Sequence, residues 1–128
     1  MADSSQTVYE RIGAEGFERL TRAFYRRVAA DPLLAAMYPD DLEPAERRLR
    51  LFLIQLFGGP TTYSDERGHP RLRKRHMRFR IDQAARDVWM RHMRAALDEA
   101  NIPEPSYSEL VRYFEASATA MINTIFPE

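Results

Sequence analysis

Leu49-Arg50-Leu51-Phe52-Leu53-Ile54-Gln55-Leu56-Phe57, followed at once by Gly58-Gly59-Pro60, reads as a helix that is apolar nearly all round with a stop behind it. Such a helix is buried on more than one side, and one of those sides can be a ligand. Its start falls near Pro44, giving a helix over 44–57. Upstream, Ala14 to Ala30 carries Phe17, Leu20, Phe24 and Val28 at steps of three, four and four, the stripe of an amphipathic helix. Asp31-Pro32 then supplies a cap and a first-turn proline for a short helix over Leu33–Met37, stopped by Tyr38-Pro39. Downstream, residues 58–70 read as a loop rich in Gly, Pro, Thr and Ser, long enough to suggest a functional role. A helical turn is expected around Arg71 to His76. Asp82 caps a helix to Ala100 with Trp89, Met93, Ala96 and Ala100 on one face, and Asn101, Pro103 and Pro105 break it. Ser106 with Glu109 reads as a capping box opening a last helix over 106–125 that buries Leu110, Phe114, Ser117, Met121 and Ile125. No segment reads as a strand. The expectation is an all-α fold of five or six helices in one domain over residues 1–128, with residues 1–8 a frayed, flexible N-terminus.

The composition agrees. A chain of 128 residues and 15.0 kDa, 45% hydrophobic and 30% charged, buries a core without staples. It contains no cysteine, which excludes disulfides, thiolate metal sites and a cysteine nucleophile. No run of eighteen apolar residues suggests a membrane span. Met1-Ala2-Asp3-Ser4-Ser5-Gln6 lacks the pattern of a signal peptide, so a cytoplasmic location is the expectation. Nineteen basic and nineteen acidic residues give zero net charge, so no global field recruits nucleic acid or anionic lipid.

Three sets of residues carry chemistry. His69, His76 and His92 are separated by seven and sixteen positions, so no HxxxH or HExxH pair exists, and no GxSxG marks a serine nucleophile. A site built on one histidine stays open, and haem needs only one protein ligand on its proximal side. Each histidine also has a structural reading: His69 in an exposed Gly-His-Pro, His92 as a hydrogen-bonded core residue, His76 in a short amphipathic stretch. The second set is basic, with seven Lys/Arg and two His in the fourteen positions from Arg67 to Arg80. It suits a solvated surface, a phosphate backbone or a clamp for a small anionic cofactor such as the propionates of haem; zero net charge and the lack of a recognition-helix signature weigh against nucleic acid. The third set is Tyr25, Tyr38 and Trp89. Core packing accounts for their rings and leaves open where the hydroxyls and the indole N–H find partners.

Taken together, the sequence from about Tyr9 to Phe126 resembles a group II truncated haemoglobin. The resemblance rests on Gly58-Gly59-Pro60-Thr61-Thr62-Tyr63-Ser64, on Gly68-His69-Pro70-Arg71-Leu72-Arg73-Lys74-Arg75-His76 and on Phe79-Arg80-Ile81, with Phe24-Tyr25, Tyr38-Pro39 and Trp89 where that family places distal residues. It implies a two-over-two helical sandwich around haem b, with 14–30 paired with 44–57 and 82–100 with 106–125. It implies His76 as the iron ligand, its other nitrogen donating to a backbone carbonyl. Tyr63 and Arg75 become candidate propionate partners and Phe79 a cofactor contact. Tyr25, Tyr38 and Trp89 become donors to a bound gas. Leu51 stands where a distal histidine would sit in other globins. Gln55, one turn on, either bonds Tyr25 or the ligand, or is a core glutamine paired to backbone.

Dioxygen gains negative charge on binding, so fixed donors hold it, each by about 1.5–3 kcal/mol. At roughly tenfold per 1.4 kcal/mol, two such bonds imply tight, slow release. The expected function is a haem protein binding O2, with NO, CO and H2O2 as further ligands. Its candidate reactions are nitric oxide dioxygenation and peroxide reduction, both drawing on an outside electron donor. The alternatives are a gas or redox sensor acting through a partner or a homodimer interface, and a haem-free helical module binding nucleic acid through residues 67–80.

Overall fold

The computed structural model describes residues 6–71, 76 and 81–123. Among the described residues the fold is built of helices, with no strand: α1 (Val8–Ala30), α2 (Pro32–Ala35), α3 (Glu43–Leu56), α4 (Thr62–Arg67), α5 (Gln83–Glu99) and α6 (Ser106–Ala120). Helix α1 packs on both α3 and α5, and α5 on α6, so the two expected helical pairs meet through α1. The α1 stripe is the centre of the core, with Phe17, Leu20, Phe24 and Val28 all fully buried against Leu53, Met93, Leu97, Leu110 and Phe114. Burying each such side chain is worth about 1.5–3 kcal/mol.

Several boundaries differ from the sequence reading. Helix α1 begins at Val8, because Thr7 accepts from the Glu10 N–H while the Glu10 carboxylate accepts from the Thr7 N–H, a complete capping box in the stretch expected to fray. Gly13, at φ 67° and ψ 176°, kinks the helix just before Ala14, where the apolar stripe starts. Residues 62–67, expected as loop, form α4. Its Ser64 N–H is capped by the Gln55 side chain of α3 (2.9 Å), and its Glu66 pairs with Arg47 (2.8 Å). The expected Ser106–Glu109 capping box is absent: Glu109 reaches across to Arg11 (3.0 Å), and Glu104 accepts from the Ser108 N–H (2.8 Å) instead. Helix α6 stops at Ala120, and the expected end at Ile125 lies outside the described residues. The caps at Asp31 and Asp82 form as read, accepting from Leu33 and Ala85 N–H. Among the described residues no helix is long and apolar enough to cross a membrane.

Candidate functional site

The helical pairs enclose a cavity of about 850 Å³. One wall is the face of α3 carrying Ala45, Arg48, Leu49, Phe52 and Leu53, at the helical spacings of three, four, seven and eight. The doubly buried helix expected from its composition is thus explained: Ile54 belongs to the protein core, Leu49 and Phe52 face the cavity, and Leu53 is buried between the two. Tyr63 of α4, buried and edge-on to Phe52 at 5.4 Å, extends this wall.

The polar end of the cavity is made by Tyr25 from α1, Tyr38 from the turn after α2, and Trp89 from α5. Tyr25 and Tyr38 stand at right angles with ring centroids 5.6 Å apart, and Phe24 fills the space between Tyr25 (5.2 Å) and Trp89 (5.0 Å). Trp89 and Tyr25 both lie close enough to bear on the Tyr38 phenol. Indole N–H is a donor only, so towards Tyr38 it can act only on the phenol oxygen. Burial raises the Tyr38 phenol above the usual range, and the bonds from Trp89 and Tyr25 partly offset this. Burial, with the neighbouring Tyr38, pushes the Tyr25 phenol well up.

The lining also includes His76, Ile81 of the segment before α5, and Ser117, Ala118 and Met121 of the α6 end. His76 is the only imidazole there. His69 is exposed, with its Nδ1 accepting from the Arg71 N–H (3.1 Å), and His92 Nε2 is engaged with Asp31 Oδ2 (2.7 Å). Arg48, Arg67 and Arg71 also line the cavity, the last two exposed, and no ion pair among the described residues engages them. Among the described residues no three His, Asp or Glu converge on an ion position. An apolar slot of this volume, one imidazole and guanidinium groups towards solvent fit a flat apolar group that carries a metal and two carboxylates, the chemistry of haem.

Five of the residues singled out in the sequence thus come together: Tyr25, Tyr38, Tyr63, His76 and Trp89. Leu51 and Gln55 do not line the cavity. Gln55 donates to Ser64 Oγ (2.7 Å) and accepts from the Ser64 N–H (2.9 Å), so both halves of its amide are engaged with α4 rather than with Tyr25. Arg75 and Phe79 lie outside the described residues. Ala45, Arg48, Leu49 and Arg67 were missed. The usable signal was the spacing of Ala45, Leu49 and Phe52, which shares one helical face with Arg48.

Residues 7–123 match the family model described as bacterial-like globin. The chain is 38% identical over 123 residues to group 2 truncated haemoglobin YjbI of Bacillus subtilis (strain 168), covering 96% of this chain and 93% of that protein. The crystal structure of haemoglobin from the thermophilic phototrophic bacterium Chloroflexus aurantiacus superposes with a TM-score of 0.91 at 52% identity, covering 94% of this chain and all (100%) of that one. The group II truncated haemoglobin of Bacillus anthracis superposes with a TM-score of 0.92 at 32% identity, covering 98% and 97% of the two chains.

Proposed function

The chain belongs to the bacterial-like globins as a group II truncated haemoglobin, a family that binds gases at haem, and from that premise we propose that it retains O2 tightly in the Tyr38–Trp89–Tyr25 corner of its cavity. Haem b iron, when bound, supplies the position at which a diatomic gas is held. The rest is done by side chains. His76, the one imidazole of the lining, is the iron ligand. Tyr63 and the arginines Arg48, Arg67 and Arg71 take the propionates, in the role the resemblance gives to Tyr63 and Arg75. The observation that carries the reading is the convergence of three polar-tipped aromatics, Tyr25, Tyr38 and Trp89, on one cavity. In the proposed order Trp89 and Tyr25 donate to the Tyr38 oxygen, which polarises that phenol and leaves its hydrogen to donate into the cavity.

Both phenols are held above their ordinary range, so they remain protonated donors throughout the physiological pH range. A cage of this kind suits retention and turnover better than delivery. The candidate reactions are the joining of nitric oxide and dioxygen with one electron to give nitrate, and the reduction of hydrogen peroxide to water with two electrons and two protons. Both draw electrons from an external donor.

The deciding experiment is an absorption spectrum of the purified protein, supplied with haemin if colourless, before and after dithionite and then O2. Stoichiometric haem uptake, with a Soret band that moves on reduction and again on oxygenation, supports the reading. No uptake overturns it and leaves the basic segment 67–80 as the lead. His76→Ala tests the ligand: haem bound as in the parent protein removes His76 from that role.

A further inference from the structure

We propose that Asn123 is the positioning residue for His76: its side-chain amide braces the backbone that carries the histidine, and so sets the direction from which the imidazole meets the haem iron. The proposal rests on the reading of His76 as the iron ligand.

The observation is a set of three hydrogen bonds made by one residue beyond the end of α6. The chain leaves that helix at Ala120 through tight turns, with the Met121 N–H on the Ser117 carbonyl and the Ile122 N–H on the Thr119 carbonyl (both 3.2 Å). Asn123 then meets Ile81. Its backbone N–H donates to the Ile81 carbonyl (2.9 Å), and its Oδ1 accepts from the Ile81 N–H (2.8 Å). The other half of the amide, Nδ2, donates to the carbonyl of His76 itself (3.3 Å).

A residue that served only to end α6 would need one of these bonds. Here the side-chain donor and acceptor are committed to two backbone groups five positions apart, at the two ends of the connection from His76 to Ile81. Ile81 is buried and directly precedes Asp82, the cap of α5, so the far end of the brace is fixed to the core. His76, Ile81, Ser117, Ala118 and Met121 all line the cavity, which places Asn123 behind the wall that holds the imidazole. A metal ligand works within narrow limits, about 0.5 Å and 10–20° of its productive geometry. Groups that orient a ligand without touching the metal typically change affinity by about 10–100-fold when removed. Asparagine combines a donor and an acceptor on a short arm. Aspartate offers the same shape with acceptors only, which separates the two bonds.

The test uses the full chain loaded with haem. Asn123→Asp keeps an oxygen for the Ile81 N–H and turns an oxygen towards the His76 carbonyl; Asn123→Ala removes both bonds. Two readouts report on the histidine rather than on activity: the iron–histidine stretching band of the ferrous, ligand-free protein in resonance Raman, and the rate of haem transfer to an excess of apomyoglobin. Both variants are expected to shift and broaden the band and to lose haem roughly 10–100-fold faster, with the helical circular dichroism of Asn123→Asp unchanged. If Asn123→Ala does not fold, Asn123→Asp decides alone. A parent-like band and haem-loss rate in Asn123→Asp would overturn the brace while leaving His76 as ligand. A parent protein that takes up no haem, or an unchanged iron–histidine band in His76→Ala, overturns the ligand reading and the brace together.

Discussion

In the proposed order the Tyr38 oxygen accepts from Trp89 and Tyr25, so truncating the three side chains has unequal consequences. Tyr38→Phe removes the donor into the cavity, a bond to a partly charged ligand worth about 1.5–3 kcal/mol, so O2 release should speed by roughly 10–100-fold. Trp89→Phe keeps the ring that packs on Phe24 and removes only a neutral bond to Tyr38, worth about 0.5–1.5 kcal/mol, for a gain in off-rate of up to roughly tenfold. The two should not add: in a Tyr38→Phe background, Trp89→Phe has no hydroxyl to act through. Stopped-flow off-rates of the single and double variants form the cycle, and a full Trp89 effect in the double variant would show the indole bonding the ligand directly. These residues were legible because each is an aromatic with a polar tip embedded in a recognisable motif. Leu51 and Gln55 were misplaced for a physical reason. A helix apolar on nearly every side has no periodicity to say which face a cavity takes, and only the packing of Ile54 into the core leaves Ala45, Leu49, Phe52 and Leu53 on the cavity side.

The junction of α3 with α4 shows the same limit for elements. Gly58-Gly59-Pro60 was readable as a stop, yet the structure gives the glycines a second task. The start of α1 lies across them, with the Tyr9 N–H on the Phe57 carbonyl at 3.0 Å. A Cβ on Gly59 would lie 2.5 Å from the Ile54 side chain, 2.8 Å from the Tyr9 ring and 2.9 Å from the Ile54 carbonyl oxygen. Gly59→Ala should therefore cost about 1–3 kcal/mol by overpacking, read as a lower urea midpoint at unchanged slope. An unchanged midpoint would mean the α1 start does not bear on this turn. Helix α4 just beyond was illegible because its six residues carry no apolar period; Gln55 and Arg47 of α3 hold it from outside. The opposite error occurred at α6, where Met121 and Ile125 continue the stripe. The bonds of Asn123 to Ile81 and His76 outweigh the further turn that the pattern favours.

For the molecule as a whole, the buried ionisable groups predict a stability plateau with a limb on each side. On the acid side, burial would raise the Glu46 carboxyl. The hydrogen bonds from Arg50 (2.8 Å) and Thr21 (2.6 Å), with the charges of Arg50 and Arg22, outweigh it, and the group titrates below its usual range. The His92 bond does the same for Asp31, joining α5 to the α1–α2 corner. The unfolded chain binds protons at these groups first, so their stabilisation is present above about pH 4–4.5 and is lost as the pH falls through the lower folded values. On the alkaline side the sign reverses. Burial raises the phenols of Tyr25, Tyr38 and Tyr113, so the folded state keeps protons that the unfolded chain releases near pH 10. Stability should be level from about pH 5 to about pH 10, then fall by up to about 1.4 kcal/mol per pH unit for each such phenol. Thermal melts across pH 3–12 check both limbs. Glu46→Gln should flatten the acid limb while lowering the plateau, because Arg50 and Thr21 then face a neutral amide. Tyr25→Phe should make the alkaline limb shallower and leave the acid limb as it is. An alkaline limb unchanged in Tyr25→Phe would mean that phenol ionises as freely in the folded protein as in the unfolded chain.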